Sequence, residues 1–421
     1  MRYSTILVLG LLAVATGCEL FNNALEVQNP SNIPASGLET PENAPLLVNG
    51  AIADFECAAG AYAVLGGEIT DELIDATQTA DRYPYERRKM VSSDARYAVN
   101  NCIGLGVYTP LQTARFSALN VRSLLQGWTD AQVPGRDTLM ATLSAYQAYS
   151  LVLLGEGFCS MVVSTLDANR QIVYGDSISR DSTFRLAVGS FTDAISGAAT
   201  NEVRQMALVG RARAYTDLGQ LVLARADAQQ VDSGYVRYVT GSTISTRRNN
   251  RVWQENSVTS DNTTLDTVYT KMNDPRVPFS DKKRNSVTGY HLYEQLKYSS
   301  ASSPMRLASW DEARLITAEA DLAASNFTSA DSIISIFRKR GGDSTAFTSI
   351  NPDTVKAALF DQRRREFFLE GQHLGDIIRF GASIFMPNPP AGTTFKGGGT
   401  YGTQLCLPLP DVEKNNNPNY P

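Results

Sequence analysis

Ala207-Leu-Val-Gly210-Arg-Ala212-Arg-Ala214-Tyr215-Thr-Asp-Leu218-Gly219-Gln-Leu-Val-Leu-Ala224-Arg-Ala226-Asp-Ala228 lies in the most regular part of the chain, residues 181–231. Small residues recur on one helical face on either side of Leu218-Gly219, so two helices can approach closely about a turn at Gly219. Upstream, Phe184, Leu186, Ala187, Phe191, Ala194 and Ile195 form an apolar stripe, and Ser182 is the expected N-cap. A second copy spans Ala313 to Phe337. Its first helix carries Leu315, Ile316, Ala318, Ala320 and Leu322, its turn is Ser325-Asn326, and its second helix carries Ala330, Ile333, Ile334 and Phe337.

Two such hairpins have the spacing of tetratricopeptide repeats. The expected fold is therefore mainly α, with tetratricopeptide-like helical repeats, irregular loop excursions and little β structure. Further helices are predicted at about 44–66, 110–128 and 136–155. Residues 76–96 read as a polar loop. Residues 232–307 are rich in Ser, Thr, Asn, Arg and Tyr without helical periodicity, and an excursion of that length in a compact body is usually functional. The tail, 382–421, is rich in Gly, Pro and Asn and reads as an irregular wrap.

The N-terminus is a targeting segment. Arg2 precedes the ten-residue apolar run Ile6–Ala15, too short for a permanent membrane span. It ends in Ala15-Thr16-Gly17-Cys18, which resembles a bacterial lipobox. Residues 1–17 then form a lipoprotein signal peptide, and a lipidated Cys18 begins the mature chain. Residues 18–43 follow as an extended tether broken at Asn29-Pro30 and Thr40-Pro41. Export leaves four of the five cysteines, Cys57, Cys102, Cys159 and Cys406, in an oxidising compartment. Disulfides are expected there, with three connectivities open, against four buried thiols.

The bulk numbers exclude some chemistry. With 43% hydrophobic and 19% charged residues the composition is ordinary and globular, and a net charge of -5 argues against a nucleic-acid partner. Two histidines, His291 and His373, supply little for catalysis or metal binding. No metalloprotease, nucleophile-elbow or phosphate-loop motif is present. Gly397-Gly398-Gly399-Thr400-Tyr401-Gly402 matches a dinucleotide glycine pattern but is followed by Pro408 and Pro410, not by a helix. Asp71, Glu72 and Asp75 could pair as acids or hold calcium, yet closely spaced carboxylates near a helix end are more often solvated charge or a loop anchor.

Three further stretches carry a resemblance. The first is Arg363-Arg-Arg365-Glu366-Phe-Phe-Leu-Glu370-Gly371-Gln-His373-Leu-Gly-Asp376-Ile-Ile-Arg379-Phe-Gly381. The second is Cys406-Leu-Pro408-Leu-Pro410-Asp-Val-Glu413, with Asn417-Pro418-Asn419 behind it. The third is Asp274-Pro275-Arg276, ahead of Lys297-Tyr298. In order and spacing these resemble the SusD/RagB family, with His373 in place of the usual arginine. The chain is also shorter than many relatives, a shortfall expected within 232–307. By their spacing, Glu366 and Glu370 share one helix face, Gly371 permits a left-handed stop, and Asp376 with Arg379 suits an ion pair. Together with Arg365 they read as a structural clamp, not a catalytic site.

The resemblance implies a single domain over 44–421, no cofactor and no enzymatic activity. It implies a nutrient-binding surface lipoprotein of the outer membrane, acting as lid and partner of a SusC-like, TonB-dependent barrel for a glycan or peptide ligand. Ligand contact is expected from aromatics in polar, irregular segments: Tyr83 and Tyr85 beside Arg82, Trp253, and Tyr290 and Tyr293. Trp310 and Trp128 read as packing residues. The rival readings are a helical-repeat adaptor for other surface proteins and a surface glycan hydrolase.

Overall fold

A computed structural model describes residues 35–420 except 80, 81, 95, 199, 382–385 and 389–397. The signal peptide, Cys18 and most of the lead-in lie outside the described residues. The described part of the lead-in is not fully extended: Ala35–Leu38 forms a helical turn and Pro41–Asn43 a 3-10 turn.

Ten helices of eight residues or more build the described body: α1 (Ala44–Ile69), α2 (Tyr108–Gln126), α3 (Arg136–Gly157), α4 (Arg180–Gly197), α5 (Asn201–Asp217), α6 (Leu221–Ala228), α7 (Trp310–Ala323), α8 (Phe327–Arg340), α9 (Pro352–Glu366) and α10 (His373–Phe380). From α1 to α9 each packs on the next in sequence, the stacking of a helical-repeat array. The hairpins predicted from the sequence are α5–α6 and α7–α8. Gly219 (φ 69°) and Ser325 (φ 57°) make their left-handed turns. Close approach also explains Gly210, where a Cβ would run into the Phe191 ring of α4. From Phe55 onward α1 is buried on nearly every side, and its Ala58, Ala59, Ala61 and Ala63 let neighbours close in on it.

The observed helices correct two local expectations. The N-cap of α4 is Ser179, whose Oγ accepts from the Ser182 N–H at 3.2 Å. The first turn, Arg180-Asp181, is polar, so apolar periodicity could not reveal it. Glu366 and Glu370 do not share a helix face, because α9 ends at Glu366 and Leu369 (φ 57°) and Gly371 (φ 77°) turn the chain away.

Among the described residues ten short strands pair in twos, all antiparallel: β1 (Leu73–Asp75) with β7 (Thr263–Leu265), β2 (Ser160–Val162) with β5 (Ser177–Ser179), β3 (Thr165–Leu166) with β4 (Ile172–Val173), β6 (Val236–Val239) with β10 (Met305–Ser309), and β8 (Phe279–Asn285) with β9 (His291–Gln295). The excursion 232–307 holds β6 to β9 and most of β10, with short helical turns at Thr246–Arg248, Arg251–Glu255 and Thr267–Thr270.

Disulfides join Cys57 to Cys102 and Cys159 to Cys406. The first staples α1 to the loop before α2. The second ties the C-terminal wrap to the end of α3, where Cys159 N–H donates to Leu407 O and Leu407 N–H to Gly157 O, each at 2.9 Å. The bridges close segments of 45 and 247 residues, so chain entropy favours them by about 4 and about 5.5 kcal/mol, as upper estimates. Replacing Cys159 and Cys406 together by alanine is therefore expected to cost several kcal/mol in denaturant unfolding, and more than the Cys57/Cys102 double replacement. The opposite order would show that the wrap is held mainly by its non-covalent contacts.

Candidate ligand-binding face

The C-terminal motif folds into a buried ionic network. Glu366 accepts from Arg306 at 2.8 Å and faces Arg276 at 3.4 Å. Glu370 accepts from Arg306 at 2.8 Å and pairs with Lys297 at 2.7 Å. Arg276 also pairs with Asp274 at 2.7 Å, which Arg365 reaches at 3.3 Å. Asp376 takes a bidentate bond from Arg363 (2.8 and 2.9 Å) and a second arginine, Arg379, at 2.6 Å. Arg379 continues to Asp217 of α5 and Glu319 of α7, at 2.9 and 3.3 Å. Burial would raise the Asp376 carboxyl, but Arg363 and Arg379 hold it below its ordinary value. His373 is buried; desolvation pushes its imidazole down to about 4, so it stays neutral where the family pattern has an arginine.

Asp71, Glu72 and Asp75 are fully buried loop anchors, not solvated charge. Asp71, itself left-handed (φ 62°), pairs with Arg88 at 3.1 Å and accepts from the Asn388 N–H. Glu72 accepts from the Leu369 N–H at 3.1 Å, and burial pushes its carboxyl up to about 8. Asp75 accepts from Thr77 and faces Arg82 at 3.7 Å. Among the described residues no group of His, Cys, Asp and Glu is arranged to hold a metal ion.

These anchors hold up a face made from three separate segments. Arg82 donates to Glu68 of α1 at 2.9 Å and to Glu255 of the excursion at 3.0 Å. Gln78 donates to Val287 O and Thr288 to Ala76 O, at 3.2 and 3.3 Å, joining the early loop to the β8–β9 turn. From the tail, Tyr401 donates to Glu86 at 3.1 Å and lies 4.7 Å beneath the Arg88 guanidinium, while Gly402 N–H donates to Arg87 O.

The candidate aromatics divide by burial. Tyr83 and Tyr290 are half-buried, and burial first, then the charges of Glu86, Asp266 and Asp75, push the Tyr290 hydroxyl up to about 12. Tyr293 is half-buried in β9 between Phe279 (5.9 Å) and His291 (4.9 Å). Tyr85 is 1% exposed, and Arg82 is enclosed among carboxylates, so neither presents a surface to a ligand. Trp253 packs its ring against the main core and pins the Arg251–Glu255 turn to the body. The sequence reading did not single out Tyr401 or Glu86. Tyr401's position in a glycine-rich tail beside a glutamate-bearing loop becomes informative only once the wrap is seen to return to residues 86–90.

A sequence profile of the SusD family matches residues 192–420, more than half of the chain, and the chain belongs to that family. Solved structures share its fold. A SusD superfamily protein from Bacteroides thetaiotaomicron VPI-5482 superposes with a TM-score of 0.70 at 14% identity, over 91% of this chain and 100% of that one. A SusD superfamily protein from Bacteroides vulgatus ATCC 8482 gives 0.68 at 13% identity, over 90% and 97%. A SusD-like carbohydrate binding protein from Bacteroides vulgatus ATCC 8482 gives 0.60 at 13%, over 84% and 86%. Against these the chain is not shortened. No curated protein matches it in sequence.

Two measurements check the electrostatics. Arg82→Leu leaves Glu68, Asp75 and Glu255 buried without their shared cation, and is expected to cost about 3–5 kcal/mol in chemical unfolding. Glu72 binds its proton more tightly folded than unfolded, so its contribution favours folding at low pH and is lost as pH rises from the ordinary carboxyl range to about 8. Glu72→Gln should match the parent near pH 4. It should then gain on it by up to about 1.4 kcal/mol per pH unit until about pH 8. A constant difference between pH 4 and 9 would contradict a proton held at Glu72.

Proposed function

We propose that this SusD-family protein is a non-enzymatic, lipid-anchored surface protein of the outer membrane that binds a carbohydrate and presents it to a TonB-dependent barrel. The observation that carries the binding reading is the pair of half-buried tyrosines, Tyr83 and Tyr290, carried by the early loop and the β8–β9 turn, which hydrogen bonds from Gln78 and Thr288 join. Sugar rings stack their C–H faces on aromatic rings, and rings fixed in advance lose little freedom on binding. The exposed amide of Gln78 beside them suits the hydroxyl-rich edges of a sugar. One structural relative is itself described as a carbohydrate binding protein, which fits the same reading.

The candidate acids support binding over hydrolysis. Asp71, Glu72 and Asp75 are enclosed and engaged with neighbouring chain, so they do not flank an open site. Lipidation at Cys18 and the barrel partnership rest on the lipobox resemblance and on family membership. Among the described residues no helix is long and apolar enough to cross a membrane.

Titration calorimetry with malto-, xylo- and manno-oligosaccharides tests the binding face. A binder should emerge from the panel, and Tyr290→Ala and Tyr83→Ala should each weaken it about tenfold, about 1.4 kcal/mol, without shifting the unfolding midpoint much. Unchanged affinity in both variants would place the site elsewhere. No binding across all three series would favour the adaptor reading.

A further inference from the structure

The two disulfides sit in opposite surroundings. Cys57 and Cys102 are 5 and 3% exposed, enclosed between α1 and the loop before α2. Cys159 is exposed and its partner Cys406 is half-buried. Cys159 also lines a surface cleft of about 560 Å³, together with Met90, Ser160, Ser177, Lys414 and Tyr420. A small thiol can therefore reach this bridge in the folded protein, whereas the other is reached only when α1 parts from its neighbours. Access, not stability, sets that order, because exchange begins with a thiolate touching a sulfur.

The accessible bridge lies in the run where the C-terminal wrap meets the early loop. Gly402 N–H donates to Arg87 O at 2.7 Å, Met90 N–H to the Gln404 side chain, and Asp411 N–H to Ser92 O at 3.0 Å. The Tyr97 hydroxyl donates to Pro408 O at 3.0 Å. Residues 401–411 thus lie along 86–92 on separate hydrogen bonds between loops, each worth only about 0.5–1.5 kcal/mol. Among the described residues Cys159–Cys406 is the wrap's one covalent tie to the body. Once it is broken, the wrap and the loop beneath it depend on those bonds alone.

We infer that Cys159–Cys406 is a site of thiol–disulfide exchange, and that its reduction loosens the wrap and the 86–92 loop together. The co-reactant is a low-molecular-weight thiol. Its thiolate attacks the Cys159 sulfur, which forms a mixed disulfide and breaks the bond to Cys406. Cys406 leaves as a thiolate and takes a proton from water. A second thiolate then attacks the reagent's sulfur in the mixed disulfide and releases Cys159, so two thiols are oxidised to one disulfide and the protein pair is reduced by two electrons. Lys414 brings a positive charge to the same cleft, which favours the incoming and the leaving thiolate alike. Its pairing with Asp411, at 3.5 Å between side chains 41 and 43% exposed, is screened by water and leaves that charge available. The inference needs only the bridge and its cleft, whatever the ligand face holds. Loops that are looser before binding must be ordered on binding, so a ligand on that face binds the reduced chain more weakly.

The test uses the chain from residue 18 onward carrying Cys18→Ser, whose four remaining cysteines are the bridged ones. The folded protein is incubated with reduced glutathione or dithiothreitol without denaturant, and new thiols are trapped with N-ethylmaleimide and mapped by peptide mass. Cys159 and Cys406 should be labelled at least about tenfold faster than Cys57 and Cys102. Amide hydrogen exchange on the singly reduced protein should then quicken about threefold or more across 86–92 and 401–411, with α7 and α8 unchanged. Labelling of all four cysteines at one rate, or of none without denaturant, would overturn the exchange site. Selective reduction that leaves exchange across 86–92 unaltered would overturn the coupling of the bridge to the loop.

Discussion

The structure depends on arginines and carboxylates that are buried together. Glu366, Glu370, Asp376 and Asp217 would each be costly to enclose alone, since an unpaired buried charge costs several kcal/mol. Arg306, Arg276, Arg363 and Arg379 make the enclosure tolerable, and every one of them comes from a different part of the chain from at least one of its partners. Asp274-Pro275-Arg276, Lys297-Tyr298 and the 363–379 motif stand far apart in sequence yet meet in this one network. That meeting gives their co-occurrence a physical reason. Removing any one of them strands a charge on another.

The network also positions the surface. Glu72 reaches Leu369 just beyond α9, Asp71 holds Arg88, and Arg88 receives the tail at Gly402. The early loop, the β8–β9 turn and the wrap are thereby set at fixed distances from the helical stack. A ligand face built from loops would ordinarily pay an ordering entropy on binding; here buried ion pairs and the Cys159–Cys406 bridge order the loops beforehand.

The repeats were the legible part of the sequence. Close-packed small residues at Gly210, Ala212 and Ala214, and a turn at Gly219, are local signals that survive into the fold because they act between adjacent helices. The cap at Ser179 and the turn at Leu369 were less legible, because a polar first turn and a left-handed leucine leave no periodic trace. Which disulfides form, and which aromatics are covered, depends on contacts between residues tens to hundreds of positions apart. Tyr83, Tyr85, Trp253 and Tyr290 look alike in sequence, as aromatics in polar company. Only the packing separates Tyr85, enclosed in the core, and Trp253, half-buried against it, from Tyr83 and Tyr290, half-buried in the joined loops. Asp71, Glu72 and Asp75 likewise look solvated until Arg88, Leu369 and Arg82 close over them.

The proposed partnership is tested most directly by isolating the protein from mild-detergent extracts of native membranes and identifying what accompanies it by mass spectrometry. Recovery of a TonB-dependent barrel at near-equal stoichiometry is the predicted result. Recovery of the protein alone, or only with soluble proteins, would contradict a role as lid to a transporter.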